Sequence, residues 1–392
     1  MDKAYPTNED DFGGVALVRR GAIFLQATRS SNVWNEAMAD IPNVRLVGID
    51  YDRQGKSHGY IGIQHSTTRS CYYWLPVPIT CIRNGSGPTV LLISGVHGDE
   101  YEGQIALSKL AADLRPIDVT GRVLILPMAN FPAARAGTRT SPIDGGDLNR
   151  LFPGEANGSV TQQIAAYIEH GLMAISDFVI DLHAGGSSIM HVAAAIVVAE
   201  GDALRFQQQM ALAEAFGAPY SIVYASRSQP HFGRIALTAS ARQGAIAIGA
   251  ELGGAGSVTS SSLSLTEQAL VRVLHKIGVL AEISDAPPPM RTQILSSDQP
   301  DTMTWAMEAG LFEPSVTVGS EVRRGDLAGR IHIVDSPGRS STEYRFDQDG
   351  IVTVARFMTQ VERGDCLYRI AFKRNAHKDG HQYTSGVADP PR

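Results

Sequence analysis

The sequence predicts an α/β protein, with a mixed, mostly parallel sheet flanked by helices and an all-β domain after it, and three observations carry that expectation. Short apolar runs at 90–93, 123–126, 178–182, 194–198 and 246–249 lack polar alternation, as strands covered on both faces do. Segments of helix length and composition at 102–114, 161–175, 203–216 and 265–277 lie between and after them, which is the order of a layered α/β sheet. At Pro287, Pro288 and Pro289 the composition changes, and the next 80 or so residues read as short strands and glycine turns.

Taken in order, residues 1–57 read as an N-terminal extension. Within it, 13–27 is the one stretch that mimics a targeting signal. Its apolar run after Arg19 and Arg20 is too short, and Gln26 and Arg29 interrupt it, so a cytoplasmic protein is expected. Alternating Ile61, Ile63, Tyr73, Leu75, Val77 and Ile79 suggest strands leading into a turn at 84–87. The catalytic domain is expected over 58–286. Asp202 and Gly217 read as the start and stop of the helix at 203–216, and Ser264 with Glu267 has capping-box spacing for the helix at 265–277. The β domain follows over 287–372, with strands at 316–322, 325–333, 350–354 and 364–370, and a disordered tail over 373–392 is expected from its His, Gly, Asp and Pro content.

Bulk chemistry excludes several classes of function. The net charge of −6, from 34 basic and 40 acidic residues, includes no basic block that could release counterions from nucleic acid. No run approaches the roughly 20 apolar residues that a membrane-spanning helix needs. Cys71, Cys81 and Cys366 are an odd number without metal-ligand spacing, which fits free thiols in a reducing compartment. The expected partner is therefore a small molecule, with neither nucleic acid nor membrane, and assembly into a homo-oligomer is left open.

The strongest local signal is Gly95-Val96-His97-Gly98-Asp99-Glu100, which follows one apolar strand and precedes a helix. Open α/β sheets place ligands at such strand ends, and the glycines let both side chains turn onto one ion. His183 closes a second strand in Asp181-Leu182-His183, and Asp181 is a candidate to orient a ligand or to cap a turn. Two histidines and a carboxylate with one open position make the ligand set of a catalytic zinc. Glu251 ends a third strand ahead of Gly253 and Gly254 and is the candidate general base and acid, taking a proton from the attacking water and delivering it to the leaving nitrogen. The glycine-rich stretch 137–154 offers Arg139, Asn149 and Arg150 to a substrate carboxylate or a tetrahedral oxyanion, with pairing to Asp144 or Asp147 as the structural alternative.

These motifs, G-x-H-G-D-E at 95–100, D-L-N-R at 147–150, D-L-H at 181–183 and E-L-G-G at 251–254, resemble in kind and order the succinylglutamate desuccinylase and aspartoacylase family of zinc hydrolases. The similarity extends from about His58 to Ala371. It implies a zinc-carboxypeptidase-like fold and one zinc per chain held by His97, Glu100 and His183. It further implies Arg139 as carbonyl polariser, Asn149 and Arg150 as substrate binders, and Glu251 as the catalytic carboxylate. The stretches 98–103 and 139–146 and the β-rich C-terminal half most resemble the branch that deacetylates N-alpha-acetyl-L-2,4-diaminobutyrate in ectoine breakdown. Around 226–234 the sequence departs from that branch, and Arg227, His231 and Arg234 are candidates to face the substrate. The strands after residue 287 resemble the barrel-sandwich of lipoyl and biotinyl modules, but the loop 335–344 holds no lysine, so a structural or access role is expected for them. Competing readings are a metallocarboxypeptidase, a deacylase for another acyl group, and a binding protein with a vestigial metal site.

Overall fold

The structure is a computed structural model and describes residues 43–199, 203–225, 231–281, 288–298 and 302–374. The segment 13–27, Asp202, Arg227, Pro287 and the tail from 375 lie outside the described residues.

Strands β1 (Val44–Val47), β2 (Gly55–Gln64) and β3 (Trp74–Asn84) form an antiparallel ribbon, and β3 pairs antiparallel with β5 (Gly121–Leu126). The covered strands predicted from their apolar runs then appear as β4 (Thr89–Ser94), β5, β6 (Phe178–His183), β8 (Ala194–Ala199) and β10 (Ile246–Glu251), while β7 (Ile189–His191) is a short strand between β6 and β8. Two further strands, β9 (Tyr220–Ala225) and β11 (Gln293–Ser296), extend the same sheet in the order β1-β2-β3-β5-β4-β6-β10-β8-β9-β11. The sheet is mixed. Parallel pairing joins β5 to β4, β4 to β6 and β6 to β10, and again β8 to β9 and β9 to β11, whereas β10 meets β8 antiparallel.

Side-chain alternation sorts each central strand onto two cores. Leu91, Ile93, Leu124, Leu126 and Val179 pack on one face, and Val90, Leu92, Val123, Ile125 and Ile180 on the other. Each of these side chains is fully buried, worth roughly 1.5–3 kcal/mol of transfer free energy apiece. Helices α1 (Glu102–Asp113), α2 (Phe131–Ala136), α3 (Val160–Ala166), α4 (Ala203–Phe216), α5 (Ala236–Arg242) and α6 (Ser260–Ile277) supply the covering layers.

Two helical expectations need correction. The last helix starts at Ser260, not Leu265, because Thr259 Oγ1 accepts from Ser262 N at 3.0 Å while Thr259 N donates to Ser262 Oγ at 3.2 Å, which satisfies donors that Ser264 and Glu267 do not reach. Glu267 instead pairs with Lys109 of α1. The segment read as one helix over 161–175 is α3, then a wider π turn at Tyr167–Leu172 and a tight 3₁₀ turn at Met173–Ile175. In that π turn the buried Glu169 receives a forked pair of bonds from Arg242 Nε and Nη2, at 2.9 and 2.8 Å.

Beyond β11 the described residues form strands joined by turns, with no helix, and they are tied to the central sheet. The strand Cys366–Lys373 pairs with β11, and Gly350–Arg356 pairs with β7, so the C-terminal strands reach the same edge as the ends of β6 and β10. Their own core holds Phe312, Phe346 and Tyr368, with ring centroids 5.4–5.8 Å apart around Tyr368.

Candidate active site

The site grows from three adjacent strand ends. β4 leads through Gly95 and Val96 to His97, β6 ends on His183, and β10 ends on Glu251. Parallel register sets Glu251 directly beside His183, so the two side chains leave the same face of the sheet. The turn carrying His97 and Glu100 lies against α2, where a Cβ on Gly98 would come within 2.0 Å of the Ala133 carbonyl carbon. Gly98→Ala is therefore expected to push the turn off α2, costing about 2 kcal/mol and reducing metal uptake. Thermal unfolding and metal content check this, and a variant matching wild type in both would remove the packing argument.

His97, Glu100 and His183 offer ligand atoms that all lie within 4.8 Å of one another. His97 Nδ1 is 2.6 Å from Glu100 Oε1 and His183 Nδ1 is 2.8 Å from Glu100 Oε2. The opposite ring nitrogens are held by carboxylates, with His97 Nε2 3.1 Å from Asp147 Oδ1 and His183 Nε2 2.8 Å from Asp181 Oδ2. Such outer carboxylates fix ring orientation and leave Nδ1 of each ring aimed at the shared point. Two imidazoles and one carboxylate, converging and mostly buried, fit a divalent transition ion of the zinc type. Burial raises the Glu100 carboxyl, but the charges of His97 and His183 outweigh it and hold the group well below the usual carboxylate range. Burial likewise opposes protonation of His183, yet Asp181 and Glu100 push its pKa well above the ordinary imidazole value.

Glu251 stands apart from this pairing. Burial and then the Glu100 charge push its carboxyl up to about 8, and Oε2 is buried with no hydrogen-bond partner among the described residues. A carboxyl so placed holds a proton near neutral pH, while a bound dication would oppose the shift.

The other expected residues distribute as follows. Arg139 reaches the centre, with Nη1 3.5 Å from His97 Nδ1 and 3.8 Å from Glu100 Oε1, and Nη2 3.3 Å from Asp147 Oδ2. Asn149 Nδ2 lies 3.5 Å from His183 Nε2, and Asn149 Oδ1 accepts from Ala236 N at 2.8 Å. Arg150 Nη1 donates to Asn149 O at 2.8 Å. All three line one cavity of about 290 Å³ with His97, His183 and Glu251. Arg234 does not join them. It is exposed on a short turn, Phe232–Arg234, and the cavity wall is formed there by its neighbours His231 and Phe232. Arg234 is thus not among the residues that line the cavity, and Arg227 lies outside the described residues.

Three lining residues were not singled out from the sequence. His191 is buried and donates from Nδ1 to Val192 O at 2.8 Å, and burial takes its pKa down to about 4, so it is a neutral wall. Tyr224 and Arg369 form another part of the wall, with the guanidinium 4.8 Å above the phenol ring. Asp147, by contrast, sits in a motif already noticed, but spacing alone could not choose between pairing with an arginine and orienting His97.

Comparison with known proteins places this geometry. The family model for the succinylglutamate desuccinylase/aspartoacylase catalytic domain matches residues 86–277. The N-alpha-acetyl-L-2,4-diaminobutyric acid deacetylase of Halomonas elongata is 39% identical over 330 residues, covering 82% of this chain and 93% of that protein. The chain belongs to the succinylglutamate desuccinylase/aspartoacylase family. As a member of that family it is a hydrolase of linear amides. Its fold is that of solved family structures: the product-bound ectoine utilization protein EutE (DoeB) from Ruegeria pomeroyi superposes with a TM-score of 0.80 at 36% identity, over 84% of this chain and 99% of that one. A succinylglutamate desuccinylase/aspartoacylase from Rhodobacter sphaeroides gives 0.79 at 36%, over 85% and 99%. The ends of β4, β6 and β10 lie within the matched catalytic domain, whereas Arg369 lies C-terminal to it.

Proposed function

We propose that this family member is a zinc-dependent deacylase that hydrolyses the amide of N-alpha-acetyl-L-2,4-diaminobutyrate to acetate and the free amine. The observation that carries the reading is the convergence of His97, Glu100 and His183 on one point beside Glu251, whose Oε2 is buried, inside a cavity sized for a small N-acyl amino acid. The choice of acyl group and amino acid rests on the relative that bears that name.

His97, Glu100 and His183 would hold a dication, which would supply Lewis acidity for the scissile carbonyl and make water more acidic. Glu251 takes the proton of the attacking water and passes it to the leaving nitrogen, and the charge of a bound dication would oppose its raised pKa and leave the carboxylate able to accept that proton. Arg139, next to the ligand cluster, stabilises charge that develops on the carbonyl oxygen. Asn149 and Arg150 position the substrate. The C-terminal strands close one wall of the cavity through Val354 and Arg369, and intact-mass measurement is expected to find neither a lipoyl nor a biotinyl group on them. Free thiols at Cys71, Cys81 and Cys366 support a cytoplasmic location, and no described helix is long and apolar enough to cross a membrane.

The test is acetate release from N-alpha-acetyl-L-2,4-diaminobutyrate, followed before chelation, after chelation and after zinc is restored. Loss and recovery of activity are expected. Turnover that survives complete metal removal would overturn the proposal.

A further inference from the structure

Arg369 is not part of any motif, yet its side chain lines the active-site cavity. Its backbone is fixed on both sides, by pairing with Val354 in one neighbouring strand and Met303 in the other, so the guanidinium is held by the sheet and by the Tyr224 ring. Nε and Nη2 are both buried and have no hydrogen-bond partner among the described residues. A buried guanidinium edge left unpaired is costly and rare in folded proteins.

Those two nitrogens form the side edge of the guanidinium, which presents two parallel N–H groups to a carboxylate. The same edge is used in that way elsewhere among the described residues: Arg242 Nε and Nη2 hold Glu169 at 2.9 and 2.8 Å, and Arg115 Nε and Nη2 hold Asp118 at 2.9 and 2.7 Å. Arg369 repeats the geometry without the acid, beside the reaction centre. Arg139 is already engaged with Asp147 and the ligand cluster, and Arg150 gives one N–H to Asn149 O.

We infer that Arg369, delivered from the C-terminal strands, clamps the α-carboxylate of the substrate's amino-acid part. The assignment rests on the proposed deacylase reading and deepens it, since the proposed substrate carries one carboxylate. Arg369 is thus a substrate-binding residue that makes activity depend on the C-terminal strands being docked.

The experiment measures kcat and KM of wild type, Arg369→Gln and Arg369→Lys on N-alpha-acetyl-L-2,4-diaminobutyrate and its α-carboxamide, and on N-acetyl-L-aspartate and its α-carboxamide. Wild type is expected to prefer acid over carboxamide by about 100-fold, the scale of a lost charge-assisted fork. In Arg369→Gln that preference is expected to fall to within a few-fold, through a higher KM for the acid with kcat little changed, and Arg369→Lys should recover part of it. Misfolded protein lowers acid and carboxamide together and leaves their ratio intact. An undiminished ratio in Arg369→Gln therefore overturns the inference. Failure of wild type on the diaminobutyrate substrate would count against the substrate reading alone, because the aspartate pair still tests Arg369.

Discussion

Replacing Glu251 by Gln is expected to lower turnover at least about a hundredfold while leaving zinc content and substrate affinity near wild type. The two side chains have nearly the same shape, so the packing at the end of β10 is kept and only the ability to carry a proton is lost. No other buried acid beside the ligand cluster can substitute. Glu100 is committed to His97 and His183, Asp181 to His183, and Asp147 to His97 and Arg139. Glu251 makes no such pairing, its Oε2 is buried without a hydrogen-bond partner among the described residues, and burial pushes its carboxyl up to about 8. Steady-state kinetics with a zinc assay on the same preparation decide the matter. Near-normal turnover would move the proton-transfer role to another group.

His183→Ala is expected to empty the metal site and abolish activity. The substitution removes one of three donors, and it also leaves Asp181 and Glu100 facing each other's charge in a buried site, with 1% and 4% exposure. Stability should fall with it, by about 3 kcal/mol, because one partner of a buried ionic pair is gone. Atomic spectroscopy on protein purified without chelator reads the metal, and thermal unfolding reads the stability. Full zinc occupancy in this variant would mean that the ligand set is wrong.

Much of this site could be read from the sequence because its residues stand at the ends of uninterrupted apolar strands. The runs before His97, His183 and Glu251 announce covered strands, and a polar residue at the end of a covered strand has few places to point other than the open end of the sheet. Register, which no local pattern gives, then made His183 and Glu251 direct neighbours. The start of α6 was misplaced because several hydroxyl residues precede it, and only the reciprocal Thr259 and Ser262 bonds select among them. Strand β9 went unmarked in the sequence, although Tyr220 to Ala225 has the mostly buried pattern of a covered strand. Arg369 was out of reach for a different reason. Its neighbours in sequence read as an ordinary strand, and its entry into the cavity depends on how that strand packs against Tyr224, more than a hundred residues away.

The proposed substrate is a small N-acyl amino acid with one carboxylate and a basic side chain. It is tested most directly by comparing kcat/KM for N-alpha-acetyl-L-2,4-diaminobutyrate, N-acetyl-L-aspartate and N-succinyl-L-glutamate with one zinc-loaded preparation under one set of conditions. The expected result is a preference of at least about tenfold for the diaminobutyrate substrate, which corresponds to about 1.4 kcal/mol of transition-state discrimination. A preference for N-acetyl-L-aspartate or N-succinyl-L-glutamate would contradict it and would mean that the cavity, with Arg139, Arg150 and Arg369 on its walls, is built to hold more than one carboxylate.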